Sequence, residues 1–544
     1  MGQTTLCVPL EVKPESCSRL SALITEFRLK VESASDAYDL VAVNVPTAHF
    51  MSMSVFPHAE YDPIFILEAN FDGTPGVFWG QLEATFSGDL RAMLRCCKRP
   101  LDEDGDLYDA VTAPDSRAPV APYLEARTQR PSVFHHGNRG LARDRILADR
   151  ELFEAVRKEL DPAAGPSAYR GIPSEAARRN LREKLAGDFP WLREPRPTRI
   201  GLGESLGDYL RLLLFVAAVL LVLTLPGLAL APLLPSPSYF VLVGGIFLAT
   251  LLLIWQKRRG LPGTEVAGSK LSLPPFKIWL LGLLGIAAYV GLATVLLLPL
   301  VVGASRLLDW IDAGEAITFA AAFRPVARAV GLGLLSLLLT APLLVIWIRY
   351  LERRDSSNDA PHVDERILRE LVRREDWIAQ NHMGSIVLIK PGVLRSIVIH
   401  AGHLGLGLLL RVTARSGYLG SMRTVHFAHW AFLNNGSRLL FLSNFDHSWD
   451  SYLDDFIEKA AHGLTIAWGS GVGFPPARFL LLDGAAHGRQ FKTWALASRA
   501  VTRFWYSAYR DLTVDQIERN HRIANGLRPG RLSEKDASAW MRDL

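Results

Sequence analysis

Four apolar stretches without a charged side chain, about Leu212 to Leu234, Tyr239 to Trp255, Ile278 to Val302 and Ala329 to Ile348, dominate the middle of this sequence. At 1.5 Å of rise per helical residue, each is long enough to cross a hydrocarbon core roughly 30 Å thick. The chain therefore reads as a multi-pass membrane protein in contact with the lipid bilayer. The expected division is a soluble half at 1–140, a basic helical juxtamembrane linker at 141–209, four transmembrane helices at 210–350, a linker helix at 351–381, a second soluble half at 382–527 and a tail at 528–544.

Charge sets the expected orientation. Arg193, Arg196, Arg199 and Arg211 precede the first span, Lys257, Arg258, Arg259, Lys270 and Lys277 separate the second from the third, and Arg349, Arg353 and Arg354 follow the fourth. By the positive-inside rule all three groups are expected in the cytoplasm, so both soluble halves face it from the membrane. The link from the third span to the fourth carries Arg306, Asp309, Asp312 and Glu315 beside Leu307, Leu308, Trp310 and Ile311, and is expected outside. Transport is disfavoured, because the span interiors lack the ionisable groups that relay or bind a moving charge. The net charge of +5 is not gathered into an aromatic-interleaved stripe, so no nucleic acid is expected. Cys7, Cys17, Cys96 and Cys97 lack the spacing of a zinc site and read as reduced cytosolic thiols, and no cleavable signal is visible.

The two soluble halves resemble each other. Leu10 to Pro14 resembles Val387 to Pro391, and His49-Phe50 resembles His426-Phe427 at the same offset (426 − 49 = 377). Asn70-Phe71-Asp72 recurs as Asn444-Phe445-Asp446 (444 − 70 = 374), with Phe78 and Leu82 answered by Tyr452 and Phe456. Matches in one order and nearly one frame point to an internal duplication. Each copy reads as a strand ending at Lys-Pro, a helix (Glu15 to Val31; Gly392 to Thr413), a hairpin (Ala48 to Phe56 with Ile64 to Phe71; Thr424 to Leu433 with Arg438 to Phe445), a second helix and a late strand (Ser132 to Gly137; Val501 to Tyr509). The second hairpin turns at Asn434-Asn435-Gly436. That order is βαββαβ, the ferredoxin-like unit. The fold class expected is α+β: two ferredoxin-like halves forming an α+β barrel around one cavity, with a four-helix transmembrane insert.

The stretch from Thr424 to Leu527, with His426-Phe427-Ala428-His429-Trp430, Asn444-Phe445-Asp446, Tyr452-Leu453-Asp454-Asp455-Phe456, Gly473-Phe474-Pro475 and Trp505-Tyr506-Ser507-Ala508-Tyr509, resembles a family of bacterial membrane proteins with no assigned activity. More distantly, the paired layout is similar to the dimeric α+β barrel superfamily, which includes dye-decolourising peroxidases, chlorite dismutases and small-molecule monooxygenases. Those peroxidases carry Gly-x-x-Asp-Gly, whose Asp serves on the distal side of haem. Ala69-Asn70-Phe71-Asp72-Gly73 resembles it without the first glycine, and the second copy has Ser443 and His447 in place of both. The resemblance implies peroxidase-like or monooxygenase-like oxidoreductase chemistry, with haem as the cofactor to test.

Strand alternation places the candidate residues. His49, Met51, Met53 and Val55 share one face of their strand, and Phe50, Ser52 and Ser54 the other; His426, Ala428, Trp430 and Phe432 oppose Phe427, His429 and Ala431. The more apolar sets are expected under the helices, leaving Ser52 and His429 toward the cavity. Asn70 and Asn444 share that lining on the next strands. Glu68 breaks an apolar strand and is the candidate general acid or base, unless it sits at a strand end and reaches solvent. His429 is the candidate haem ligand or proton shuttle, against a satisfied core histidine. Asp72 and Asp446 are candidate catalytic carboxylates that equally suit helix capping. His400 and His403 share a helix face, but no further ligands accompany them and no metal site is expected. The functional expectation is a cytoplasmic barrel that binds, and oxidises, a hydrophobic small molecule or lipid-derived substrate. The alternative is a non-catalytic membrane module for interaction or assembly.

Overall fold

The computed structural model describes residues 2–33, 37–58, 61–162, 167–230, 236–257, 275–311, 316–355, 362–375, 379–414 and 422–544. The first half contains β1 (Gln3–Glu11), α1 (Cys17–Ser33), α2 (Ala37–Asn44), β2 (Ala48–Phe56), β3 (Ile64–Asp72), α3 (Pro75–Leu94), α4 (Gly105–Thr112), α5 (Ala121–Ala126) and β4 (Val133–His136). Next come α6 (Arg143–Leu160) and α7 (Ser174–Leu185), then the insert of α8 (Leu202–Leu230), α9 (Ser236–Lys257), α10 (Pro275–Trp310), α11 (Phe319–Leu335) and α12 (Leu337–Glu352), followed by α13 (Glu365–Arg374). The second half runs β5 (Gln380–Leu388), α14 (Val393–Thr413), β6 (Val425–Leu433), β7 (Arg438–Asp446), α15 (Trp449–Trp468), β8 (Ala477–Arg478), β9 (Leu482–Asp483), α16 (Gly488–Ala497), β10 (Arg499–Ala500) and β11 (Thr502–Ser507). Helices α17 (Val514–Leu527) and α18 (Glu534–Met541) end the chain.

Local chemistry explains the main boundaries. Pro14 opens a turn of 3-10 helix that leads into α1, where its missing N–H costs nothing. The β6–β7 hairpin turns through Asn434, Asn435 and Gly436, all at positive φ (49°, 55° and 85°), a conformation open to asparagine and glycine.

The strands form two large antiparallel sheets, ordered β1-β3-β2-β11 and β10-β5-β7-β6-β4, and β8 pairs with β9 in a small third one. Each half sends its last strand into the other half's sheet. Gln129 bridges to Cys7 of β1, and the chain then crosses so that β4 pairs with β6. In the same manner β10 pairs with β5 and β11, directly after it, pairs with β2. Two halves that exchange edge strands must lie on one side of any membrane. The closed barrel expected from the sequence is not formed: both sheets stay open and stack face to face. Helices cover their outer faces, α1 and α3 burying Leu6, Val8, Met51, Phe65 and Phe78 against the first sheet, α14 and α15 burying Ile399, Phe441, Phe445 and Phe456 against the second. Each such side chain stabilises the fold by roughly 1.5–3 kcal/mol.

Residues 141–209 are more than a linker. Helix α6 packs along α17, with Leu152 and Val156 against Ile523 and Ala524, and Asp149 lies 2.9 Å from His521 Nδ1. Strand β5 begins at Gln380, which places His382 in the sheet.

In the insert, Leu202–Ala229, Trp279–Trp310 and Phe319–Glu352 are long and apolar enough to cross a membrane, whereas the second expected span is the shorter apolar helix Pro237–Leu252. A fourth helix that meets the same criterion is α14, inside the second soluble half. Ser336, which separates α11 from α12, keeps helical dihedrals, and its Oγ donates to the Gly333 carbonyl at 2.5 Å. Tyr239 Oη donates to the Leu332 carbonyl at 2.9 Å, a polar tie of the kind that joins helices where no water competes. Arg306 to Trp310 continue α10 rather than forming a separate surface segment. Arg258, Arg259, Lys270, Asp312 and Glu315 lie outside the described residues.

Candidate functional site

Between the sheets, a carboxylate with its donors lies at mid-depth. Glu68, on the inward face of β3, is 1% exposed. Its Oε2 accepts from Ser52 Oγ of β2 at 2.8 Å and lies 2.9 Å from His382 Nε2 of β5, on the opposite sheet. Its Oε1 accepts from Asn70 Nδ2 at 3.1 Å and stands 3.5 Å from His429 Nδ1. The shell is itself held: Thr5 Oγ1 donates to Asn70 Oδ1 at 2.6 Å, and His382 Nδ1 pairs with Thr502 Oγ1 at 2.8 Å. Asn444 takes the equivalent place on β7 and accepts from Trp505 Nε1 at 2.8 Å, also across the sheets. Alternation thus puts Ser52, Glu68, Asn70, Asn444 and His429 on the inward face as read from the sequence. His382, which completes the group, was missed, although counting back in twos from Ile386 through Gly384 reaches it.

Burial works to raise the Glu68 pKa, but the His382 charge and hydrogen bond, with help from His429 and then Ser52, outweigh it and hold the carboxyl at about 2. Glu68 is an ionised, satisfied acceptor rather than a proton donor at neutral pH. His429 goes the other way: burial, joined by repulsion from His382, outweighs Glu68 and lowers it to about 4.

At one end of the inter-sheet space a histidine and an aspartate from each half form two similar pairs. In the β2–β3 register Ala48 faces Phe71 and Phe50 faces Asn70, so His49 is the extra residue of a bulge; His426 is its counterpart between Val425 and Phe427. A bulge re-aims its side chain. His49 is therefore not under the helices with Met51 but inside, its Nε2 3.1 Å from Asp72 Oδ2 and its Nδ1 2.8 Å from Tyr509 Oη. His426 Nε2 lies 2.8 Å from Asp446 Oδ1. Each aspartate also caps a helix: Asp72 Oδ2 accepts from the Arg143 N–H that starts α6 at 2.7 Å, and Asp446 Oδ2 from the Val514 N–H that starts α17 at 2.8 Å. Capping is what both do, on the helix after the exchanged strand rather than the helix directly following.

Space decides what this arrangement can do. A Cβ on Gly384 would come within 2.8 Å of Phe56 on the other sheet and 2.9 Å of Leu442. With Glu68 bonded directly to His382 and Trp505 to Asn444, the sheets meet through side chains at successive levels. No slot for a haem opens at His429, so the residues there do not fit that group. His400 and His403 do not converge on a metal: His403 is buried, with Ser132 Oγ and the Ala467 carbonyl each 2.9 Å from its ring nitrogens, while His400 is exposed and bonded to the Ser396 carbonyl. Among the described residues no group of three or more His, Cys, Asp or Glu is arranged to hold a metal ion. Comparison with protein-family models, with curated proteins and with solved structures returned no match.

Three buried imidazoles and one half-buried one make the fold acid-sensitive. Burial lowers His135 to about 3, His403 and His429 to about 4, and His136 well below the ordinary value. In the unfolded chain these groups take up protons below about pH 6.5, so folding excludes protons between there and pH 4. Their stabilising contribution is present above pH 6.5 and lost as pH falls toward 4, at up to roughly 1.4 kcal/mol per histidine per pH unit. Thermal unfolding in detergent is expected to shift down by more than about 10 °C between pH 7.5 and 5. A flat profile over that range would show that these rings are hydrated.

Proposed function

We propose that this chain is a membrane-anchored module that works through its surfaces, in interaction or assembly, and not by turnover between its sheets. Its soluble part is read as two ferredoxin-like units produced by duplication, both on the cytoplasmic face of a bacterial inner membrane. Support for the duplication comes from geometry that recurs in both halves: a bulged histidine, an aspartate capping the helix after the last strand, and an edge strand given to the partner sheet. The orientation rests on the arginines at Arg193 to Arg211 and Arg349 to Arg354.

The observation that carries the reading is the direct contact of the two sheets at mid-depth, where Glu68 of one sheet is bonded to His382 of the other at 2.9 Å. An enzyme that draws a hydrophobic substrate into this space would need a cleft there, since ligand sites are concave and largely pre-formed. The test is an absorbance spectrum and native mass spectrometry of protein expressed with haem supply and purified in mild detergent. The expected outcome is no Soret band and no stoichiometric small molecule beyond exchangeable lipid. A Soret band or a tightly retained organic ligand would restore the oxidoreductase alternative.

A further inference from the structure

Helix α14 occupies the same place in its half as α1 does in the first, yet its outer face is different. On α1 the exposed positions are Ser18, Arg19, Ala22, Glu26, Leu29, Lys30 and Glu32; on α14 they are Val393, Ser396, Ile397, His400 and Leu404. Leu404, Ile397 and Val393 are 54%, 60% and 80% exposed. Such a face in water costs solubility, and a contiguous apolar patch marks something that covers it.

The neighbours of α14 say what that is. Near its N-terminal end, Val393, Leu394 and Ile397 form an apolar recess of about 280 Å³ with Trp347 and Leu351, the last turns of α12. Further along, Gly405 lets α14 pack on α8: a Cβ there would lie 2.8 Å from the ring of Phe215, within the first turns of the apolar run of that helix. The two contacts are with same-side ends of two membrane-spanning helices, so α14 bridges them instead of running through the bilayer beside them. Its inner face is taken by β4 and α15, and both its ends return to strands of the sheet. The only cationic side chains on α14 sit near its ends and are paired at the same level: Arg395 with Asp355 beyond α12, and Arg411 Nε with Asp208 of α8 at 2.8 Å.

We propose that α14 lies flat in the membrane interface, with phospholipid acyl chains covering Val393, Ile397 and Leu404, so that the second half is seated on the bilayer and the first projects away from it. Helices of this kind bury their apolar face to a depth of roughly 5–10 Å. The proposal goes beyond the functional reading above and stands or falls separately from it.

The test uses the full chain carrying Ile397→Cys, Leu404→Cys or, on α1, Leu29→Cys, labelled with bimane and reconstituted in phosphatidylcholine–phosphatidylglycerol vesicles. Lipids with a nitroxide at a shallow or a deep chain position serve as quenchers. Unsubstituted protein, labelled in parallel, gives the background from the half-buried Cys17. Each variant is first required to elute as the unsubstituted protein does on size exclusion, and Val393→Cys replaces either α14 variant that fails. Quenching at the α14 positions by the shallow probe, several-fold above that at Leu29 and above that by the deep probe, is the expected result. Quenching no greater than at Leu29 would place α14 in water, and stronger quenching by the deep probe would place it across the bilayer; either overturns the proposal.

Discussion

Glu68→Ala is expected to lower the stability of the stacked sheets by about 4 kcal/mol, because the substitution removes the one acceptor on which buried groups from three strands converge. Ser52 Oγ, Asn70 Nδ2 and His382 Nε2 all lose their partner, and none can turn to water, since Ser52, Asn70 and the His382 side chain are each 1% exposed or less. For a soluble part of this size the thermal midpoint should fall by roughly 8–16 °C. The same experiment separates the structural role from a catalytic one. Catalytic carboxylates are held in environments that cost stability, so their removal tends to leave a protein as stable or more so. A change in midpoint of less than a few degrees, or a rise, would refute the structural account of Glu68. Because the whole pair is desolvated, replacing Glu68 and His382 together by apolar residues should cost less than the sum of the single changes.

This arrangement was legible in the sequence wherever strands keep a strict period of two. From Phe50 to Phe56 and from Ile64 to Asp72 alternation assigns every inward side chain, and Ser52, Glu68 and Asn70 are where it puts them. It fails at His49 because one inserted residue shifts everything before it, and nothing local distinguishes a bulge from regular strand. Only the recurrence of histidine at His426 hints that the position is special in both halves. The strand exchange was hidden for a different reason. Residues 133–136 and 502–507 read as strands, but a strand carries no record of which edge it joins, and here each joins an edge hundreds of residues away in the chain. The apolarity of α14 was present in the sequence but masked by context: its pattern matches a domain helix, and its outer face becomes unusual only when set beside α1 in the same place.

The second large effect concerns how the membrane insert is fastened to the soluble part, and Asp208 is the fastening. It sits near the start of α8, 1% exposed. There it accepts from Arg139 Nη2 at 2.7 Å, just after β4, and from Arg411 Nε at 2.8 Å, at the end of α14. Arg139 also pairs with Glu204 one turn earlier and donates to the Arg411 carbonyl at 2.8 Å, so three elements close on one carboxylate. Asp208→Ala leaves the Arg139 and Arg411 guanidinium groups at the junction with only the half-exposed Glu204 between them, and the Arg139 side chain is 7% exposed. Breaking such a pair from one side costs about 3–5 kcal/mol, most of it the stranded charge rather than the lost attraction. Helix α8 should then undock at its start, exposing the segment from Arg193 to Arg199, whose Arg199 is otherwise held by Glu518 at 2.7 Å. Limited trypsin digestion of reconstituted protein should show new cleavage there, while the spans stay protected by lipid. Removing Arg139 as well relieves the stranded charge, so Arg139→Ala with Asp208→Ala should be cut more slowly than Asp208→Ala alone. If the single variant resists trypsin as the unsubstituted chain does, apolar packing of α8 against α10 and α14 holds the junction and the ion cluster is incidental.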